Sequence, residues 1–280
     1  MGFKINHPEL ELELKFVEVD KLHIHEEVLP DAMKKLVEGI KGDSLVKHPV
    51  IVDGKSLVVL DGMHRVASIK KLGYRLMLVC CVDYESDSVR VERWFRILEG
   101  ESEKPLTDVL ADAGYELKEA SLDEIEVLMK DRKAIAGLLT TEGYSVVLGP
   151  KGSIKEIYDQ IGGIEKTLAN AGYKIGYGTD KDAMKKLENG EAPVVLAVPA
   201  ITKKEIVDTA LANQVFIPKA TRHLIPARPM SVDAPIKWLT FDPGEANELL
   251  EKHLSKKKID HLPPGEVLDR RYDEELYIFK

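Results

Sequence analysis

Five consecutive residues, Asp61-Gly62-Met63-His64-Arg65, stand where the β-rich run "LVVLD" meets a helical pattern. A glycine permits close approach of the backbone to a ligand, and the start of a helix offers unpaired N–H groups and a positive dipole end. His64 and Arg65 can add hydrogen-bond donors for a phosphate. Asp61 is then available to accept a hydrogen bond from a metal-bound water or from a donor group of the substrate. The spacing therefore predicts an anion site. The alternative is an ordinary helix start, with Asp61 as the N-cap and Arg65 as a solvated surface residue.

Other groups of reactive side chains are poorer candidates. The stretch "GPKGSIKEI", Gly149 to Ile157, lacks the spacing of a P-loop and is predicted to be a plain turn. His23 and His25 lie on one side of an extended segment, but no third ligand for zinc is evident. Cys80 and Cys81 are adjacent in an apolar run, so their side chains are predicted to point to opposite faces of a strand. We therefore expect neither a disulfide framework nor a cysteine-based metal site.

The five-residue junction resembles the nucleotide-contacting motif Asp-Gly-x-His-Arg of the ParB and sulfiredoxin superfamily. Sulfiredoxins carry a reactive cysteine at the x position, and Met63 excludes that chemistry here. ParB-type proteins share an arginine-rich box, which we do not find in this sequence. His25-Glu26 is similar to the His-Glu pair of free serine kinases, in which the glutamate is the general base on the serine hydroxyl. The alternative for Glu26 is an exposed acid in a loop rich in charge.

A second segment, "FIPKATRHLIPARP", resembles the C-terminal segment of the free serine kinases. The resemblance implies that Thr221, Arg222 and His223 bind the substrate, and an arginine can hold a phosphate or carboxylate through two parallel hydrogen bonds. The alternative is that Arg222 bridges domains and His223 packs on proline. Trp94 falls where these kinases carry a tryptophan beside the substrate, although a strand tryptophan is often simply core. Ser44, in a loop, is a further candidate contact to the amino acid.

Around these residues the pattern alternates between helices and strands. Helices are predicted at "PDAMKKLVEGIKGD", with Gly42 as its C-terminal cap, from about Met63 to Leu72, and in four segments beyond residue 120. "HPVIVDGKSLVVLD" predicts a hairpin that turns at Asp53-Gly54. "AIAGLL", "YSVVLG", "APVVLAVPA" and "QVFIPK" are predicted strands, and the segment from about Pro243 is predicted to be a polar helix followed by a loose tail. Helices are expected to end at several of the four Gly-Tyr pairs.

Composition and charge argue against a nucleic-acid-binding protein and a membrane protein. The chain has 280 residues and a net charge of −8, which argues against a surface that tracks nucleic acid, so DNA is not an expected partner. No apolar run approaches the roughly 20 residues of a membrane span, and no signal-peptide pattern opens the sequence. We expect a cytoplasmic protein without membrane attachment.

Together these features predict a mixed α/β fold with two domains. Residues 1–100 are predicted to form a ParB/sulfiredoxin-like nucleotide-binding domain, and residues 101–280 an α/β domain that completes the substrate site and ends in a polar tail. The resemblance implies a phosphotransferase that uses Mg²⁺ and either ADP or ATP to convert L-serine into O-phospho-L-serine. Its implied catalytic residues are Glu26 and Asp61, and Asp61, Gly62, Met63, His64 and Arg65 would bind the nucleotide. The alternative is a ParB-like, nucleotide-responsive DNA-binding regulator without kinase activity.

Overall fold

A computed structural model describes residues 2–100, 102–149, 152–268 and 271–280. Its contacts divide the chain into two compact units. The first unit comprises Met1–Arg90, Ile206–Val215 and His223–Lys280, and the second comprises Val91–Glu205 and Phe216–Arg222. The predicted division into domains at residue 100 stays a prediction.

The fold is mixed α/β, as predicted. The helices, numbered in chain order, are α1 (Pro30–Asp43), α2 (Met63–Lys71), α3 (Leu106–Asp112), α4 (Leu122–Lys130), α5 (Ile154–Asn170), α6 (Asp180–Glu188), α7 (Lys203–Leu211) and α8 (Pro243–Leu254). The strands are β1 (Phe3–Asn6), β2 (Glu11–Glu18), β3 (Leu45–Val46), β4 (Val50–Asp53), β5 (Val59–Asp61), β6 (Leu76–Val82), β7 (Arg90–Glu92), β8 (Phe95–Glu99), β9 (Glu116–Glu119), β10 (Ala134–Thr140), β11 (Tyr144–Leu148), β12 (Lys174–Gly178), β13 (Val194–Ala197), β14 (Arg222–Leu224), β15 (Ala227–Met230), β16 (Ala234–Pro235), β17 (Ile259–Leu262) and β18 (Glu275–Phe279). Among the described residues, none of these helices is long and apolar enough to cross a membrane.

The first unit is organised around a five-stranded sheet in the order β1-β2-β6-β4-β5. Strand β6 is buried along its whole length and pairs parallel with β4 and antiparallel with β2. Cys80 and Cys81 lie in β6 as predicted; both are free and buried, and burial raises the pKa of the Cys81 thiol to about 11. A second sheet, in the order β15-β18-β17, is built from C-terminal strands.

The elements that flank the motif form where the sequence places them, with two corrections. Helix α1 has the predicted bounds, but it ends at Ser44, which takes the left-handed conformation (φ 56°), and not at Gly42. The hairpin of β4 and β5 is confirmed, yet its positive φ lies at Leu57 and not at Gly54. Asp53 shapes this longer turn by accepting hydrogen bonds from the backbone N–H and the hydroxyl of Ser56. Helix α2 ends before Gly73 (φ 76°), as predicted.

The second unit contains a six-stranded antiparallel sheet in the order β12-β8-β13-β10-β11-β9. Helices α4 and α5 begin with capping boxes at Ser121 and Ser153, in which side chain and backbone satisfy each other's hydrogen bonds. One face of α5 is buried, and its helical spacing explains why the sequence pattern predicted this helix. The buried residues are Ile154, Ile157, Tyr158, Ile161, Ile164 and Leu168. The stretch predicted as a plain turn, residues 149–157, runs into α5 at Ile154, and its residues Pro150 and Lys151 lie outside the described residues.

Two sequence predictions about elements are wrong. "QVFIPK" forms only an isolated bridge at Phe216 and no strand. The C-terminal segment is not a loose tail, because β17 and β18 pair with each other and β18 pairs with β15. Their alternating, half-polar residues carry too weak a local signal for strands whose partners are remote in sequence.

Candidate active site

The Asp-Gly-x-His-Arg motif sits at a strand-to-helix junction, as predicted. Strand β5 ends at Asp61 and helix α2 begins at Met63. Gly62 between them has φ 98°, a conformation that side chains with a Cβ rarely adopt. A Cβ at Gly62 would lie 2.6 Å from Val50 Cγ1 and 2.7 Å from the guanidinium of Arg65. The site therefore requires glycine both for its backbone conformation and for the space that the arginine occupies.

The guanidinium of Arg65 is bound to its own protein. Its Nη1 donates to the carbonyl oxygens of His48 (3.0 Å) and Pro49 (2.7 Å), and its Nη2 donates to Asp61 Oδ2 (2.8 Å). Arg65 thus ties the segment before β4 to the motif. The alternative in which Arg65 is a solvated surface residue is wrong.

Asp61 is held by a second arginine that sequence reasoning missed. Arg228, in β15, donates from Nη1 to Asp61 Oδ2 (2.6 Å) and from Nε to Glu274 Oε1 (2.7 Å). Burial alone would lower the pKa of Arg228, but the carboxylates of Asp61 and Glu274 raise it above its usual value. Asp61 is not the N-cap of α2, since Gly62 occupies that position and no side chain caps the helix. Arg228 lies inside the quoted stretch "LIPARP", but no local pattern pairs it with a residue so remote in the chain.

Met63 and His64 contact the loop that carries Glu26. The backbone N–H of Glu26 lies 3.3 Å from the thioether sulfur of Met63, and the N–H of Leu29 donates to His64 Nε2 (3.1 Å). These two contacts fix both ends of a short segment that starts at Glu26. The structure thereby brings the predicted base and the predicted nucleotide motif into one site in the first unit.

Glu26 and its neighbours form a buried cluster. Glu26 is 9% exposed whereas the adjacent Glu27 is exposed, so the alternative of Glu26 as an exposed acid is wrong. His25 is fully buried, and its Nδ1 bonds to the carbonyl oxygen of Val59 (2.8 Å). Burial lowers the pKa of His25, against the opposing effects of Glu26 and that carbonyl. His25 is therefore a neutral imidazole whose Nδ1–H donates to Val59.

His223, a predicted substrate residue, packs in the same cluster. Its ring centroid lies 5.2 Å from that of His25, and its Nε2 lies 2.7 Å from the hydroxyl oxygen of Tyr84. Burial raises the pKa of the Tyr84 phenol, with a further contribution from Asp53, so Tyr84 stays protonated. Tyr84 is a second residue that the sequence did not single out.

In the second unit the structure brings together Trp94, Thr221 and Arg222. The indole N–H of Trp94 donates to the carbonyl oxygen of Thr221 (3.1 Å), and the guanidinium of Arg222 lies 5.6 Å from the centroid of the indole. Arg222 also forms an ion pair with Glu92, and Lys219 lies 5.0 Å from the indole centroid. Trp94 lies between β7 and β8, so the assignment of a strand tryptophan is wrong.

Ser44 stands apart from these two clusters in its contacts. It is exposed at the end of α1, where its N–H donates to Ile40 and its carbonyl accepts from the N–H of Ile236. Among the described residues no hydrogen bond joins Ser44 to another predicted site residue.

The acidic and histidine side chains do not form a ready-made metal site. Across the described parts of the chain no three His, Cys, Asp or Glu residues are grouped so that they could hold a metal ion. Magnesium is usually bound by one or two carboxylates together with substrate phosphates and water. Such an ion would arrive with the nucleotide and would not need a preformed protein site.

Comparison with known proteins supports the resemblance. No family model matches the chain. An ATP-dependent L-serine kinase from Staphylothermus marinus is 29% identical over 83% of this chain and 93% of that protein. An ADP-dependent L-serine kinase from Thermococcus kodakarensis is 28% identical over 84% and 97%, respectively.

The fold is also similar to that of a solved free serine kinase structure. A free serine kinase in complex with AMP superposes with a TM-score of 0.67 at 25% identity, over 81% of this chain and 93% of that one. The sequence and the fold are similar over most of both chains, and the predicted resemblance is confirmed: this chain is similar to the free L-serine kinases.

Proposed function

We propose that this protein transfers the terminal phosphoryl group of a nucleotide to the hydroxyl of L-serine, giving O-phospho-L-serine. The observation that carries the proposal is the buried Glu26 carboxylate, whose loop is held by Met63 and His64 of the nucleotide motif. The names of the similar proteins, L-serine kinases, supply the acceptor and the class of donor.

The roles of the first-unit residues follow from their contacts. The N-terminus of α2, with Gly62 in a left-handed conformation, offers backbone N–H groups to the phosphates. Arg65 and Asp61 shape this junction, because their charged groups are bound to the protein itself. Glu26 accepts the proton of the serine hydroxyl while the hydroxyl oxygen bonds to the terminal phosphorus and the bridging P–O bond breaks.

His25 supports this role because it is neutral. A protonated imidazole beside Glu26 would stabilise the ionised carboxylate and weaken it as a base. Burial instead keeps His25 uncharged, and the hydrogen bond to the carbonyl oxygen of Val59 fixes its orientation.

We assign Thr221, Arg222, Trp94, His223 and Ser44 to binding of the amino acid, on the resemblance to the free serine kinases. Arg222 has the guanidinium suited to a carboxylate or phosphate, and in the structure its partner is the carboxylate of Glu92. A ligand carboxylate would have to share or replace that partner. A Mg²⁺ ion bound together with the nucleotide would supply neutralisation of the phosphate charge.

The nucleotide donor is left open between ADP and ATP, since the two similar kinases named above differ in this respect. A cytoplasmic location likewise stays a prediction. The decisive experiment is incubation of the purified protein with L-serine, Mg²⁺ and either ADP or ATP. We expect O-phospho-L-serine in the ³¹P NMR spectrum, together with AMP or ADP as the second product.

Controls without L-serine and with D-serine separate serine phosphorylation from nucleotide hydrolysis. Bound nucleotide without any phosphoserine would contradict the proposal. That result would favour the alternatives, a changed acceptor or a ParB-like regulator, and a panel of small hydroxyl compounds in the same assay would distinguish between these two.

A further inference from the structure

Arg228 forms an ion pair with the Asp61 carboxylate of the motif. The side chain of Arg228 is 14% exposed, and its two directed hydrogen bonds run to two different carboxylates, those of Asp61 and Glu274. Arg65 converges on the same oxygen, Asp61 Oδ2. Two guanidinium groups therefore determine the orientation of one motif carboxylate.

The backbone around Arg228 makes this arrangement rigid. Arg228 lies in β15, which pairs parallel with β18, and Ala227 stands opposite Glu275 in the register. The N–H of Glu275 donates to the carbonyl oxygen of Pro226 (2.9 Å), so Glu274 is held beside the strand that carries Arg228. An arginine is suited to this position because its planar group can bind two acceptors at once, which an ammonium group does less well.

We infer that Arg228 is a positioning residue of the nucleotide site, which acts through Asp61 and thereby fixes Arg65 and the start of α2. The inference rests on the proposed function only in that the motif binds a nucleotide. Without Arg228, Asp61 Oδ2 would lose one of its two guanidinium donors, and the other, Arg65, also donates to the carbonyl groups of His48 and Pro49. The junction would then have more freedom, and the backbone groups that face the phosphates would be less well ordered.

The test measures binding of ADP and of ATP by isothermal titration calorimetry, which does not depend on turnover. Arg228→Met keeps the length of the side chain and removes its donors. We expect the Kd for the nucleotide to rise about 10-fold, as for the loss of a charge-assisted hydrogen bond. Arg132→Met is the control, because Arg132 is also partly buried and paired, with Glu205 of the second unit. Its effect on the Kd should stay within about 2-fold.

A double-mutant cycle separates positioning from a general loss of stability. If Arg228 acts through Asp61, the double variant Asp61→Asn/Arg228→Met should bind nucleotide as Asp61→Asn does, within about 2-fold. Independent, multiplying losses would overturn the inference, as would an unchanged Kd in folded Arg228→Met. If Arg228→Met does not fold, Arg228→Lys and Glu274→Gln replace it, and each should raise the Kd by about 2- to 5-fold, less than the full truncation.

The outcomes distinguish this inference from the proposed function. Tight nucleotide binding that depends on Arg228, without phosphoserine formation, would support the inference and contradict the serine kinase assignment. If phosphoserine forms and the Kd and KM for the nucleotide do not change in the Arg228 variant, the serine kinase assignment is supported and the inference about Arg228 is contradicted. A wild-type protein that binds neither ADP nor ATP would overturn both.

Discussion

At the scale of single residues, the site depends on charges that are placed in contrasting environments. Glu26 is buried next to a neutral imidazole, whereas Asp61 is held by two guanidinium groups. A carboxylate bound to two arginines is stabilised in its ionised form and is a weak base. On these contacts we propose Glu26 as the general base and an organising role for Asp61.

The first prediction tests that assignment. Glu26→Gln keeps the size and polarity of the side chain but removes the basic group, so nucleotide should still bind while turnover falls by roughly 10²- to 10⁴-fold. Glu27→Gln is the matched control, because Glu27 is the adjacent acid and is exposed. Steady-state rates of phosphoserine formation measure both variants. Near-normal turnover in Glu26→Gln would refute the assignment, and the opposite pattern would make Glu27 the base.

The second prediction concerns His25 and pH. Burial lowers the pKa of His25 below its ordinary 6.5, so the unfolded chain binds a proton in a pH range where the folded protein does not. The free energy of unfolding should therefore decrease as the pH falls below about 6.5, down to the lowered pKa of the folded state. His25→Gln can keep a donor to Val59 without titrating, and we expect it to lose stability less steeply with decreasing pH.

Urea unfolding at about pH 7.5 and about pH 5.5 measures this difference. The quantity compared is the loss of unfolding free energy between the two pH values, in the wild type and in His25→Gln. Equal losses in the two proteins would show that His25 is not the titrating group.

At the scale of elements, the strand-to-helix junction between β5 and α2 carries the site. Its geometry depends on Gly62, which takes a positive φ and whose lack of a Cβ leaves room for the guanidinium of Arg65. A side chain at this position has two separate costs, backbone strain and displacement of the arginine.

Gly62→Ala separates these costs when it is compared with Gly73→Ala. Gly73 also has a positive φ, but a Cβ there would meet no atom within 4 Å. In both variants backbone strain should lower the free energy of unfolding by about 1 kcal/mol. Gly62→Ala should lower it further than Gly73→Ala, because the new Cβ displaces Arg65, and should bind nucleotide at least about 10-fold more weakly. Thermal unfolding and nucleotide titration measure the two effects. Equal stabilities and equal affinities in the two variants would mean that the packing of Arg65 against Gly62 does not matter.

Elements with a strong local signal were predictable from the sequence. Helix α1 has a proline in its first turn and a periodic apolar face, and α5 has a capping box and a fully buried stripe. Strands β17 and β18 were not predicted, since their half-exposed residues alternate weakly and their pairing depends on β15. Local periodicity reports burial, and it cannot report which remote strand completes a sheet.

At the scale of the whole molecule, the site too depends on contacts between residues that are remote in the chain, which local sequence patterns do not report. The motif could be recognised because its five residues are contiguous. Glu26 could be recognised because it follows His25, as in the His-Glu pair of the free serine kinases. Arg228 and Asp61 are separated by 167 positions, and their contact exists only after the C-terminal stretch has joined the first unit. Tyr84 was missed for the same reason, since its partner His223 lies 139 positions further on.

The last prediction concerns nucleic acid, the partner required by the ParB-like alternative. The protein carries a net charge of −8, and many of its lysines and arginines pair with carboxylates, as Lys155 does with Asp159. Any attraction to DNA would rest on scattered lysines such as those in "SKKKID", and it should weaken steeply between about 50 and about 200 mM salt.

Fluorescence anisotropy of a labelled duplex, with and without ADP or ATP, measures this attraction. The nucleotide arms are needed because the alternative is a regulator that responds to nucleotide. We expect weak binding that neither nucleotide strengthens and that competitor DNA of unrelated sequence abolishes, because contacts to phosphates carry no sequence information. Tight, sequence-selective binding at physiological salt would contradict the kinase interpretation, since it would require base contacts from a protein whose overall charge repels DNA.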